Sequence, residues 1–407
     1  EGCFHPYIAV ESSNGAEKTC RECGVTTLQL IKSFAVENDI NYSLEFETHS
    51  VPLKSIAFDM EYAGSLHPPE VEEVEKRIEE TLKKEEPSPD QLHSCVQSLC
   101  DSTALKDVEQ PWILPLVSTL CDQCRFGESD LLNHPLAIIL VVSSDDEDPL
   151  HRFDVLSQRV LQYPAFRSGS FSKAIPFFYF LIHSGDSASP ADDIFRNMKS
   201  TFNASQCKLI RINSLPAEEK RSTTPSVLSS VPPGCCLRLS DADIAGMMET
   251  MHWVMMRSVL PNLAKMIRCY TQDIVNDRRG IANALFGWLR TSSSPNLAAT
   301  QEEEVVLFHA NTIEFKIRFV ADMAFLVHDY DTCIDYYRML LDDYKNSNAQ
   351  FQVAHASLMI ALSFFLQANS PSSSGIQVRD MQFYFLQSIH LFDSSSYFSF
   401  LSAFLFS

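Results

Sequence analysis

Four carboxylates crowd into the six residues Ser143-Ser144-Asp145-Asp146-Glu147-Asp148. An acidic loop of this kind, set at the end of a strand, can hold a divalent cation, because hard cations take oxygen ligands. Asp145, Asp146 and Asp148 would then serve a metal-dependent, hydrolase-like α/β enzyme. The alternative is a solvated turn. The loop has no glycine, so it lacks the open backbone N–H groups that cradle phosphate, and its charge repels a triphosphate. Neither G-x-x-x-x-G-K-[ST] nor G-x-G-x-x-G occurs in the chain. GxSxG, HExxH and EF-hand patterns are absent too.

The cysteines offer a second chemistry. Cys20 with Cys23 and Cys121 with Cys124 have CxxC spacing, but 97 residues separate the pairs. A four-cysteine zinc site draws its pairs from closer together. The expectation is no metal, no cofactor and free thiols in a reducing compartment. Cys207, Cys269 and Cys333 fall in apolar patterns and are expected to act as small core residues. His134, His183, His252 and His328 stand at element ends, as half-buried or capping residues rather than general bases. No catalytic residue is assigned.

The segment Arg278–Arg290, RRGIANALFGWLR, suggests physical rather than covalent chemistry. At about 100° per residue, Ile281, Leu285, Trp288 and Leu289 share one side of a helix, with Phe286 at its margin. Arg279 and Arg290 stand opposite, and Arg278 opens the run. Residues 257–290 hold six basic and two acidic side chains, +4 in a chain of −20. Arginine beside Trp and Phe, followed by a Ser/Pro loop, suits a helix lying in a membrane interface. The alternative is a helix packed on its own domain.

These residues need elements to position them. Leu136–Val142 (LAIILVV) reads as a fully buried strand, and Ile175–Ile182 (IPFFYFLI) as another. Between them Pro149 opens a helix with Leu150, Phe153, Leu156, Val160 and Leu161 on one face. A helix after Pro190 and a strand at Cys207–Ile212 complete β-α-β-α-β, with parallel pairing expected. A helical run at Thr27–Phe34 and a strand at Val51–Phe58 precede this unit. Residues 70–90 form an acidic insert, and 213–234 a Ser/Thr/Pro-rich linker. Ser240 then caps a long helix, about 243–277, which Pro261 is expected to kink. Helices follow at Ile313–Val327, Thr332–Tyr344, Ala349–Leu366 and Ile376–Phe392, an α-solenoid pattern.

Composition sets the frame. The chain has 407 residues, 52 acidic against 32 basic, and only 12 glycines. That charge argues against a nucleic-acid binder, which needs basic surface to displace counterions. A hydrophobic share of 45% with 21% charged residues fits a core-forming chain. The first residue is Glu1, without a basic and then apolar leader, and the chain is expected to stop inside the helical array.

Several blocks together resemble one family. They are LLNHP followed by AIILVVSSDDEDPLHRF, then VLPNL leading into RRGIANALFGWLR, then FKIRFVADMAFLVHDYDTCIDYYRMLLDDY. In this order they are similar to subunit 8 of the trafficking protein particle (TRAPP) complex, the large subunit of the TRAPP III form, over roughly residues 100–370.

The resemblance implies a GTPase-like parallel sheet without nucleotide loops, the glycine shortage falling at Ser143–Asp148, followed by an α-solenoid truncated at its C-terminus. Read with the residue pattern, the organisation is an α/β domain over 1–212, the linker 213–234, the long helix and membrane-helix candidate over 235–300, and the incomplete solenoid over 301–407; the acidic insert at 70–90 has no clear counterpart in the family. The resemblance carries further expectations. It also implies a non-catalytic scaffold, with other TRAPP subunits as partners and a Rab1-type GTPase reached through the complex. The expected setting is cytoplasmic and peripheral, on cis-Golgi and pre-autophagosomal membranes, in ER-to-Golgi vesicle transport and autophagy. The membrane-contacting residues would be Arg278, Arg279, Ile281, Leu285, Phe286, Trp288, Leu289 and Arg290, on an anionic or loosely packed surface.

Overall fold

The computed structural model describes residues 5–21, 24–66, 76, 79, 134–185, 189–212, 239–285, 308–368 and 378–394. The chain divides into two compact units, Glu1–Leu66 with Ser129–Ser388, and His67–Glu128 with Ile389–Ser407. The second contains the acidic insert, which lies outside the described residues apart from positions 76 and 79, as does the linker 213–234.

The first unit begins with β1 (Tyr7–Ser12), α1 (Asn14–Arg21), α2 (Thr27–Lys32), β2 (Val36–Glu45), β3 (Ser50–Ala57) and β4 (Asp59–Tyr62). It continues with β5 (Pro135–Ser143), α3 (Pro149–Gln162), α4 (Pro164–Arg167), β6 (Phe177–Ser184), α5 (Ser189–Thr201) and β7 (Cys207–Ile212). Five strands form one parallel sheet in the order β4-β1-β5-β6-β7. The β-α-β-α-β unit read from the sequence is therefore present, but β1, which that reading missed, pairs between β4 and β5. The strand at Val51–Phe58 belongs instead to a separate antiparallel hairpin, β2–β3.

All nine residues of β5 are buried, as an apolar run covered on both faces requires. The two faces can be read from adjacent residues of β6. Tyr179 meets Phe153 of α3 and stacks on Phe202 at 4.2 Å, whereas Phe178 meets Trp253 at 6.2 Å. Alternate side chains of a strand point to opposite faces, so helices cover the sheet on both sides.

Trp253 belongs to α6 (Asp241–Val254), which Ser240 caps through a reciprocal bond with Asp243. A five-residue π-helical stretch, Met255–Val259, joins α6 to α7 (Leu260–Leu285). The irregularity expected at Pro261 takes the form of a widened turn immediately before it. Proline lacks an N–H and its ring crowds the carbonyl of the preceding turn, and a π-bulge relieves such crowding. The helix also runs eight residues beyond the expected end at 277.

Helices α8 (Ile313–Leu326), α9 (Tyr330–Asn346), α10 (Gln350–Ala368) and α11 (Val378–Ser394) follow. Consecutive members from α7 to α10 pack together. His328 (φ 64°) ends α8 and Asn348 (φ 55°) ends α9, each in the left-handed conformation that closes a helix. Both reversals let the chain turn in about three residues. Helix α10 is buried around most of its circumference, as expected for a helix inside an array. An Arg318–Asp322–Tyr337 cluster with His355 lies buried among α8, α9 and α10.

Candidate functional site

In an open parallel sheet, ligands bind outside the carboxyl ends of the strands, where the strand order reverses. Here that point lies between β1 and β5, whose neighbours lie on opposite sides. The loops concerned are Ser13 and Ser143–Asp148. The position that a phosphate loop would take is therefore the β1–α1 junction, not the acidic loop alone. Ser12, Glu17, Lys18 and Thr19 stand at the spacing of G-x-x-x-x-G-K-[ST], with serine and glutamate in place of both glycines. The sequence reading missed this half-pattern. Its signal was Lys18-Thr19 one helical turn after a short apolar strand.

The junction holds no open loop. Strand β1 passes into α1 through Ser13, whose hydroxyl accepts the Ala16 N–H at 3.0 Å as an N-cap. The same hydroxyl donates to Asp146 Oδ2 at 2.6 Å, and the Ser143 N–H donates to that oxygen at 3.0 Å. A Cβ on Gly15 would lie 2.2 Å from Asp146 Oδ1. The carboxylate thus lies directly on the first turn of α1. On the other side Glu17 Oε1 accepts from Ser12 at 2.8 Å and from Tyr62 at 2.7 Å. That bond and burial together push the Tyr62 phenol up to about 12, burial being the larger cause. Thr19 Oγ1 donates to the Gly15 carbonyl at 2.9 Å and lies 3.3 Å from Ser143 Oγ.

The metal reading of the acidic loop assigned Asp145, Asp146 and Asp148. Asp146 is committed to Ser13 and Ser143, while Asp148 caps α3 by accepting the His151 N–H at 3.2 Å. Asp145 is exposed. Among the described residues no group of three or more His, Cys, Asp or Glu converges in a way that would hold a metal ion. Ser144 Oγ lies 2.7 Å from His183 Nδ1, which ties the end of β5 to that of β6. Cys20, Cys207 and Cys333 are buried cysteines. Burial pushes Cys207 up to about 11, away from reactivity. Cys269 is exposed, contrary to the core role expected of it. It follows the exposed Arg268 on the outward side of α7, midway between Ile267 and Thr271 of the buried series.

The membrane-helix residues divide at the end of α7. Arg278, Arg279, Ile281 and Leu285 lie on its last turns, and Phe286, Trp288, Leu289 and Arg290 lie outside the described residues. The buried series of α7 is Leu260, Leu263, Ile267, Thr271 and Ile274. Beyond Ile274 the helix continues for about 16 Å at 1.5 Å per residue. Positions 281 and 285 continue that series in helical register. No described helix is long and apolar enough to cross a membrane.

Fold and site together describe a parallel α/β sheet whose switch-point crevice is occupied by its own side chains, joined to an α-helical array. Residues 1–406 match the family described as TRAPPC-Trs85, ER-Golgi trafficking TRAPP I complex 85 kDa subunit, and the chain belongs to that family. The match reaches well beyond the 100–370 region that carried the sequence resemblance. Among curated proteins the chain is similar to the human trafficking protein particle complex subunit 8, at 21% identity over 467 residues. That alignment covers 90% of this chain and 32% of the human protein, so the chain spans about a third of that relative's length.

Proposed function

We propose that the chain is a non-catalytic scaffold and membrane-targeting subunit of a TRAPP III-like tethering and exchange complex. Other TRAPP subunits are its partners, and a Rab1-type GTPase is reached through the complex. Its setting is the cytoplasmic face of cis-Golgi and pre-autophagosomal membranes, in ER-to-Golgi traffic and autophagy. The observation that carries this reading is the family match along 1–406. The family's description names the TRAPP I complex; the TRAPP III form rests on the resemblance of the three sequence blocks. The filled crevice agrees with a subunit that leaves nucleotide chemistry to others.

In this reading Arg278–Arg290 makes the membrane contact. Partial burial of five apolar side chains contributes about 5–8 kcal/mol before ordering costs. Each arginine near an anionic leaflet adds about 1 kcal/mol. Such a helix anchors reversibly and works best with the further contacts of an assembly. The chain should float with anionic liposomes, and Leu285→Asp with Trp288→Asp should abolish flotation while leaving the melting curve unchanged. Flotation that survives both changes would sink the membrane assignment. A second reading follows from the register of Ile281 and Leu285 with the packed part of α7: the helix docks on a neighbouring subunit. Protection of Gly280–Leu289 from protease in the complex, without liposome binding, would favour it. Affinity purification that recovers no small TRAPP subunits would refute the scaffold role itself.

A further inference from the structure

We infer that Asp146 is a built-in anion that takes the place of a phosphate group at the β1–β5 crevice, holding the α/β domain in one state without a ligand. Three observations meet here. First, the crevice lies at the reversal of strand order, where a parallel sheet presents a helix N-terminus to an anion. Second, Ser12, Glu17, Lys18 and Thr19 keep the spacing and the last two residues of a phosphate-binding signature, but the chain passes from strand to helix through Ser13 with no room for a loop. Third, the anion present is a carboxylate from a residue 133 positions away, held by the Ser13 hydroxyl and the Ser143 N–H.

Gly15 shows how closely that carboxylate sits. The Asp146 Oδ1, Cγ and Oδ2 atoms lie 2.2, 2.7 and 2.9 Å from where a Cβ would be. Only glycine permits the approach. Its φ is not in the left-handed region, so the requirement is contact, not backbone strain. In a ligand-bound fold of this type, phosphate would link the two loops and its loss would release them. Here the link is covalent to the chain. Ser13 N–H to the Val141 carbonyl at 2.8 Å and Thr19 beside Ser143 close the same seam. The inference is independent of the membrane and complex assignments.

The test is thermal unfolding of the whole chain, with potassium phosphate or magnesium GDP compared against potassium chloride at equal ionic strength. Wild type should show no shift with either ligand. Asp146→Ala should lower Tm by about 5 °C, and phosphate should restore about half of that loss in this variant alone. Gly15→Ala should be destabilising in wild type and neutral or stabilising on the Asp146→Ala background, because the clash partner is gone. The double variant should not respond to phosphate, since the new methyl fills the vacated space. Should Asp146→Ala fail to fold, Asp146→Asn keeps an acceptor oxygen without the charge and should lose about 2–3 °C with no phosphate response. Three results overturn the inference: a phosphate or nucleotide shift in wild type, an Asp146→Ala variant that phosphate does not stabilise, or an equal cost of Gly15→Ala in both backgrounds. An Asp146→Asn variant as stable as wild type would overturn it too.

Discussion

His134 should make the unit acid-sensitive in a defined window. The ring is 3% exposed, between Phe171 at 4.9 Å and Phe315 and Phe319 at 5.9 and 6.2 Å. Its Nε2 accepts the Ser172 N–H at 2.9 Å, so that nitrogen carries no proton. Nδ1 must then be the protonated nitrogen, donating to the Pro135 carbonyl at 2.9 Å. A second proton on Nε2 would face an N–H donor inside a ring of aromatics. Burial accordingly lowers the His134 pKa to about 4, the Pro135 bond offsetting only part of the shift. The unfolded chain, with a pKa near 6.5, binds a proton that the folded chain refuses. Stability from this group is therefore complete above about pH 6.5 and is lost as pH falls toward 4. By linkage the loss at pH 4.5 is about 2.5 kcal/mol relative to pH 7.5. Other carboxylates titrate in the same range, so the comparison must be differential. Urea unfolding of wild type and His134→Gln at several pH values should give curves that converge by about 2.5 kcal/mol between pH 7.5 and 4.5. Parallel curves would refute the reasoning, as would an imidazole seen by NMR to titrate above pH 6 in the folded chain.

The buried cluster of the helical array supplies a second expectation. Asp322 is 0% exposed, accepts the Tyr337 hydroxyl and lies 3.8 Å from Arg318, itself 5% exposed. Asp322→Ala should cost about 3–5 kcal/mol in urea unfolding, because it leaves a buried guanidinium without its counter-charge. Replacing the set together, Arg318→Met, Asp322→Leu and Tyr337→Phe, should cost far less than the single change; equal losses would argue against the pairing. Gly169→Ala should destabilise by about 1–3 kcal/mol. Gly169 has φ 81° and an added Cβ would meet His309 Nδ1 at 3.0 Å. A melting temperature unchanged by that substitution would contradict the contact between the α4–β6 loop and the entry to α8.

The sequence revealed those elements whose burial is written in apolar side chains. LAIILVV and IPFFYFLI gave β5 and β6 because both faces of these strands are covered. The array helices were legible within a few residues at each end, from their spacing and from the His328 reversal. Strand β1 was not. This interior strand carries Glu11, 6% exposed, which interrupts the apolar run and is held by Arg159 on α3 at 3.0 Å and by Tyr163, just past the end of α3, at 3.1 Å. A partner 148 residues away leaves no mark in a local window. Strand β2 was hidden because its sequence, VENDINYSLE, is mostly polar. The candidate site suffered most, since missing β1 placed the first strand of the sheet at β5. The acidic loop was then weighed as a ligand site in its own right, although Asp146 serves the β1–α1 junction.

The π-helical stretch has a mechanical consequence. The buried series Met247, Met251, Val254 and Met255 continues with Val259, Leu260 and Leu263, while Ser258 within the π-helical stretch is only half-buried. One extra residue in the turn rotates the face that the rod presents. From Asp241 to Leu285 the helix spans roughly 65 Å, with Trp253 seated against the sheet and Tyr270 against Phe319 of the array. The two architectures share a single axle instead of meeting through a loop. A displacement of its Leu285 end meets the array contact at Tyr270 first, and reaches the sheet contact at Trp253 only through the π-helical turn between them.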